Sequence, residues 1–168
     1  MTDGDMVEAV AATFSRIFLG GIPSLLNDDG AFLSFVCVLS ATEALAGCRF
    51  PEKADSGDRF KNFVTVYYPG RYGPLAEQLW TFRCAMVHAG QPGPFVLTHH
   101  NSHLHLGATQ AGQAILNAED FYAALVFAAQ RYLADARTQP SVREALVVRL
   151  NKEGVAAVGP ITYYVPQP

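Results

Sequence analysis

The sequence predicts a mainly α-helical protein, a four- to five-helix up-and-down bundle with a small β-hairpin insertion. Three observations lead to this prediction. Apolar residues recur at helical spacing in several segments that end near glycine or proline, one of these segments is apolar on nearly every side, and one short stretch instead alternates with a period of two. At 168 residues, without an internal repeat or a long linker, the chain suits a single domain over 1–168.

The helices are predicted from their periodicity and their end signals. The first is expected from about Asp5 to Phe18, before a pair of glycines. The second spans 31–47 and carries Glu43 as its single charge, which predicts burial on more than one side. The other helices are expected to begin near Ser56, Pro74, Asn117 and Ser141, where Ser141 and Glu144 form a capping-box pattern, and the tail over 155–168 is expected to be extended.

The stretch PFVLTHHNSHLHLG (94–107) alternates on both sides of Asn-Ser, which predicts the β-hairpin, and it holds four of the five histidines. On a strand, His103 and His105 would share one face and form half of a zinc site. The neighbouring sequence offers no Cys or Asp pair at metal-ligand spacing. We therefore expect a solvated strand face and no cofactor, with a metal-dependent hydrolase that uses these histidines as an alternative.

Composition limits the classes of function and location. Half of the residues are apolar and 16% are charged, which suits a compact protein that also buries surface against a second copy of itself. A net charge of −3 argues against a general nucleic-acid coat. The N-terminal residues are acidic, no run of about 18 apolar residues occurs, and the three cysteines lack paired spacing. We therefore expect a cytoplasmic protein with reduced thiols and no membrane span.

The helix predicted over 74–88 carries an arginine in an apolar position. On an ideal helix, Arg83 falls between Trp80 and Val87 in a second apolar stripe, about 100° from the core stripe. A buried guanidinium costs several kcal/mol unless a partner compensates its charge. Glu43 is one candidate partner, and a phosphate group is the other. The remaining polar face is shared by Glu77, Thr81, Cys84 and His88.

The stretch LWTFRCAMVHAG (79–90) resembles the signature of the HEPN superfamily, whose members carry R-x(4–6)-H near the end of a helix in an all-α bundle. Arg83 and His88 match this motif with four residues between them. The resemblance covers roughly residues 31–150. It implies a homodimer, because many HEPN proteins are metal-independent RNA endonucleases in which two such motifs face each other across the dimer axis.

The resemblance also implies roles for single residues. His88 would act as general base or acid on the ribose, and Arg83 would bind the scissile phosphate, with Glu43 and Trp80 in support. The helix 74–88 would form the dimer contact, with RNA or a nucleotide as ligand and an antitoxin-like protein as a further partner. Cys84 differs from the Asn, Asp or His that often follows the arginine. Non-catalytic members that only bind or dimerise therefore provide the second hypothesis.

Overall fold

The fold is that of a computed structural model, which describes residues 2–153; the predicted extended tail over 155–168 lies outside the described residues. In that range the chain forms six α-helices and one small two-stranded sheet, so the prediction of a mainly α-helical bundle is confirmed. The helices are Asp3–Phe14 (α1), Ala31–Arg49 (α2), Ser56–Tyr67 (α3), Ala76–Ala89 (α4), Ala118–Thr138 (α5) and Pro140–Glu153 (α6), and the strands are Phe95–Thr98 (β1) and Ala114–Asn117 (β2).

The first helix differs at both ends from its prediction. It begins earlier because Thr2 and Asp5 form a capping box, in which the Thr2 N–H donates to Asp5 Oδ2 at 2.7 Å and Thr2 Oγ1 accepts from the Asp5 N–H at 3.2 Å. After Phe14 the helix widens into a π-helical turn over Ser15–Leu19, closed by the Gly20 N–H on the Ser15 carbonyl at 2.7 Å. The helical segment therefore ends near Phe18, as predicted, but its last turn is π-helical and not α-helical.

The starts of α4 and α6 also differ from the sequence prediction. Pro74 belongs to a 3-10 turn, Gly70–Leu75, and α4 follows it from Ala76. The capping box predicted at Ser141 is wrong, because α6 begins at Pro140 and places Ser141 inside its first turn. Gly90 ends α4 as expected, in the left-handed conformation (φ 61°) that glycine adopts without strain.

The core is built around α2, which packs against α3, α4, α5 and α6. Phe35 of α2 is almost fully buried between Phe82 of α4 and Phe121 of α5, with ring centres 6.0 Å away in each case. Burying each such ring contributes about 1.5–3 kcal/mol. These contacts fix α4 against α2 and so determine where the polar residues of α4 lie.

Two helical stretches, Asp3–Leu25 and Ala31–Arg49, are long and apolar enough to cross a membrane, with mean hydropathies of 1.2 and 1.7. Length and composition are the only basis for this, and the core helix of a soluble protein has the same properties. The second stretch is α2, of which 56% is buried inside the fold, whereas 22% of the first is buried. The hydropathy of α2 is therefore explained by its central position.

The β-hairpin predicted over 94–107 is wrong. β1 pairs with β2 in parallel, from Phe95 opposite Ala114 to Thr98 opposite Asn117. Before β2 the chain makes a turn in which the Gly112 N–H donates to the Thr109 carbonyl at 2.9 Å, and Ala108 and Ala114 on its two sides form an antiparallel bridge. The second half of the alternating stretch forms a 3-10 turn, Ser102–Leu104, instead of a strand. β2 was missed because its apolar run is only four residues long and directly precedes α5.

Candidate functional site

Arg83 is held by Glu43, as one of the two sequence interpretations predicted. The Arg83 Nε donates to Glu43 Oε2 at 2.7 Å, and Nη2 lies 2.6 Å from the same oxygen. The Arg83 side chain is 20% exposed and that of Glu43 is 26% exposed. The pair joins α4 to α2 at the edge of the core, where the guanidinium charge is compensated and still reaches solvent.

Trp80 packs inside the protomer. Its ring centre lies 5.6 Å from that of Phe60 on α3, and a Cβ at Gly57 would come within 2.8 Å of the indole. The guanidinium carbon of Arg83 lies 5.4 Å from the indole centre, which is a cation–π contact. The second apolar stripe of α4 is thus used largely against α3 and α2, and of its members Val87 is left exposed.

The polar face of α4 lies at the surface, as the helical spacing predicted. Glu77, Thr81 and His88 are exposed, Cys84 is half-buried, and Glu77 pairs with Lys61 of α3 at 3.1 Å. His88 follows Arg83 by five residues, so it lies about 140° further around the helix. The two members of the HEPN-like motif therefore do not share one helix face: Arg83 contacts α2, and His88 faces solvent at the end of α4.

His105 has a structural role. Its Nδ1 accepts the Asn117 N–H at 3.0 Å, so the proton of the neutral ring sits on Nε2, which lies 2.7 Å from the Tyr72 hydroxyl. Burial lowers the pKa of His105, and the nearby Asp120 opposes that shift less strongly. His103 lies exposed in the 3-10 turn. His103 and His105 therefore do not share a strand face, neither the solvated one that the sequence predicted nor the zinc half-site that was its alternative.

The two preceding histidines face carboxylates, which the sequence analysis missed. His99 Nε2 lies 3.5 Å from Asp28 Oδ1, and His100 Nδ1 lies 2.9 Å from Glu119 Oε1. One candidate ligand atom each of Asp28, His99 and His100 falls within 4.8 Å of the others. Asp28 lies in the turn before α2, and Glu119 lies in the first turn of α5. No spacing in the sequence connects them to the histidines.

Comparisons of the chain with family models, with curated proteins and with solved structures find no match. The resemblance to the HEPN superfamily therefore rests on the residues around Arg83 and His88, together with the helical fold.

Proposed function

We propose that this chain is a cytoplasmic, HEPN-like protein that acts as a homodimer and cleaves RNA without a metal ion. The observation that carries the proposal is the arrangement on α4. A guanidinium is held in a fixed position by Glu43 and Trp80, and an exposed imidazole follows five residues later at the helix end. Arginine suits the binding of a phosphate, and histidine can take up and release a proton near neutral pH.

In this proposal the 2′-hydroxyl oxygen of a ribose attacks the adjacent phosphorus, and the bond to the 5′-oxygen breaks. His88 of one protomer takes the proton from the hydroxyl, and His88 of the other protomer gives a proton to the leaving oxygen. Arg83 stabilises the charge on the phosphate oxygens. A dimer is required because one chain supplies one such histidine at the end of α4, on a different helix face from its own Arg83.

Exposed apolar side chains on α2 and α4 support the dimer. Leu33 of α2 is 54% exposed and lies on the same helix face as the exposed Ala44, about 80–100° around the axis from Glu43. Val87 of α4 is 43% exposed. A second copy that covers these residues would remove the Glu43–Arg83 pair from water and strengthen its electrostatic interaction. Because Trp80 is already packed against α3, the dimer contact would use the outer part of α4.

A second candidate function has its own support. The Glu43 carboxylate occupies two nitrogens of Arg83, and Cys84 offers only a weak hydrogen bond where HEPN proteins often carry Asn, Asp or His. These features favour a non-catalytic, HEPN-like dimer that binds RNA or a nucleotide. The ion pair would then join α4 to α2, and the dimer would act as a scaffold.

The test is cleavage of a mixed RNA substrate in the presence of EDTA. We expect His88→Ala to lower the rate at least about 100-fold, the range for loss of a general acid–base group. His103→Ala serves as the matched control, because His103 is an exposed histidine outside α4. Arg83→Lys keeps a positive charge beside Glu43 but loses the planar geometry that binds phosphate, so it should also lower the rate with an unchanged circular dichroism spectrum.

The other results separate the two candidates. Equal cleavage by wild type and His88→Ala would contradict the catalytic proposal and indicate a contaminating nuclease. Absence of cleavage by the wild type, combined with RNA binding that Arg83→Lys weakens, would favour the non-catalytic dimer. Absence of both cleavage and binding would contradict both candidates.

A further inference from the structure

The segment that follows β1 brings two histidines to two carboxylates from distant parts of the chain. Asp28 belongs to the turn before α2, His99 and His100 follow β1, and Glu119 lies in the first turn of α5. The 3.5 Å between His99 Nε2 and Asp28 Oδ1 is too long for a good hydrogen bond. It is close to the roughly 3.4 Å that separates two ligands on one tetrahedral zinc ion with bonds of about 2.1 Å.

The ring nitrogens of His99 lack good hydrogen bonds from the described residues. Among the residues that the structure describes, its Nδ1 is buried and has no hydrogen-bond partner, and its Nε2 makes only the long contact with Asp28. His105 shows the opposite state, because both of its ring nitrogens are engaged. An imidazole binds one ion through one nitrogen, and Nε2, which makes no short hydrogen bond, is the nitrogen open to an ion beside Asp28 Oδ1.

The position of His100 is determined by a network of side chains. Glu119 Oε2 accepts the His100 backbone N–H at 3.1 Å and an N–H of the Asn117 side chain at 2.9 Å. The next residue, Asn101, is also fixed in position, because its backbone N–H donates to Asn117 Oδ1 at 3.0 Å. His100 is thereby kept at φ 54°, a conformation that costs free energy for a residue other than glycine.

From this geometry we infer that Asp28, His99 and His100 bind one divalent transition-metal ion, of which Zn²⁺ is the natural example. Two imidazoles and one carboxylate form a donor set that binds such ions better than it binds Mg²⁺ or Ca²⁺. Glu119 is a positioning residue, because its Oε2 accepts the His100 backbone N–H at 3.1 Å and its Oε1 lies 2.9 Å from His100 Nδ1. This inference does not depend on the proposed function.

The ion would join the turn before α2 to the segment after β1 and, through Glu119, to the start of α5. Asp28 is 90% exposed and His100 is 63% exposed, so an ion can enter from solution without a rearrangement, and water completes its coordination. Because the folded chain presents the site and the unfolded chain does not, bound Zn²⁺ raises the thermal stability of the protein.

The experiment uses the full chain without a histidine tag, freed of metal with EDTA and then transferred to buffer without it. Zn²⁺ is titrated by calorimetry, Co²⁺ is titrated by its visible absorption, and the Tm is recorded with and without Zn²⁺. The variants are His99→Gln and Asp28→Ala, the latter at a position so exposed that the fold is retained. His103→Gln is the matched control, an exposed histidine four residues from His99 and outside the site.

We expect one ion per chain in the wild type and in His103→Gln, with the same Kd and the same rise in Tm. His99→Gln and Asp28→Ala should bind at least tenfold more weakly and lose the rise. Glu119→Gln should bind about tenfold more weakly with unchanged stoichiometry, the usual effect of losing a carboxylate that orients a histidine ligand. Binding by Asp28→Ala or His99→Gln at the wild-type Kd would overturn the inference, and so would no binding by the wild type at millimolar Zn²⁺.

Discussion

Arg83 and His105 are both polar side chains at the edge of the same core, and the protein accommodates them in different ways. Arg83 keeps its charge and receives a carboxylate from α2, whereas His105 stays neutral and uses both ring nitrogens in hydrogen bonds to Tyr72 and Asn117. His99, in the same segment as His105, has a buried nitrogen without a partner in the described part of the chain. The residue type alone therefore does not identify a site. The partners that the fold provides decide which groups remain able to bind a ligand.

The largest effect is expected when the carboxylate that α2 provides to Arg83 is removed. Glu43→Ala should lower the free energy of unfolding by about 2–3 kcal/mol, somewhat less than for a fully buried pair, because both partners are partly exposed. Urea denaturation measures the change, and the double variant with Arg83→Ala should recover part of it. Glu8→Ala is the control, because the pair of Glu8 with Arg137 lies at the surface. An equal effect of the two substitutions would mean that Arg83 does not need Glu43.

A smaller effect is expected when Trp80, whose indole contacts the Arg83 guanidinium, is displaced. Gly57→Ala places a Cβ within 2.8 Å of the Trp80 indole, so the ring must move away from α3, at a cost of about 1–2 kcal/mol. Trp80 is the single tryptophan, so its fluorescence reports the displacement directly. Gly70→Ala is the matched control, since a Cβ there has no neighbour within 4 Å among the described residues. An unchanged emission spectrum in Gly57→Ala would show that Trp80 is not packed on α3 as described.

The smallest effect concerns His105 and depends on pH. Burial lowers the pKa of His105 in the folded protein below 6.5, so the unfolded chain takes up this proton first as the pH falls. The free energy of unfolding should therefore decrease as the pH falls below about 6.5, until the lowered folded-state pKa is reached. His105→Gln should lose this decrease and should cost about 1 kcal/mol at pH 7.5 for the altered hydrogen bonds.

Unfolding curves at pH 7.5 and 5.5 for wild type and His105→Gln provide the measurement. Every other residue is the same in both proteins, so the difference between their curves reports on His105. The same dependence on pH in both proteins would contradict the neutral, structural role of His105.

Much of the helical fold could be predicted from the sequence, because an amphipathic or wholly apolar segment has a clear period and glycine marks its end. The pair of Glu43 and Arg83 was one of the two interpretations of Arg83, because Glu43 is the single charge predicted for its helix and Arg83 interrupts an apolar stripe of another. Sheet pairing was not predictable in this way. The alternation around Asn101 suits a hairpin, yet β1 pairs with β2. At the end of β2, Asn117 forms hydrogen bonds with both Asn101 and His105.

The cluster of Asp28 with His99 and His100 could not be found from spacing, because its members come from two separate segments. Only the packing of the turn before α2 beside the end of β1 brings them together. The sequence drew attention to the histidines but pointed to His103 and His105, since a strand was assumed there. Once the 3-10 turn replaces the strand, the other two histidines are the ones that face carboxylates.

The position of α1 has a consequence for synthesis of the chain. α1 packs on α5 and α6, and the Arg137 guanidinium and the Tyr122 hydroxyl reach back to Glu8 and to the Leu19 carbonyl across 129 and 103 residues. A nascent chain therefore exposes these two apolar helical stretches before the helices that cover them have been made. Until α5 and α6 have been made, much of the apolar surface of these stretches stays in contact with solvent.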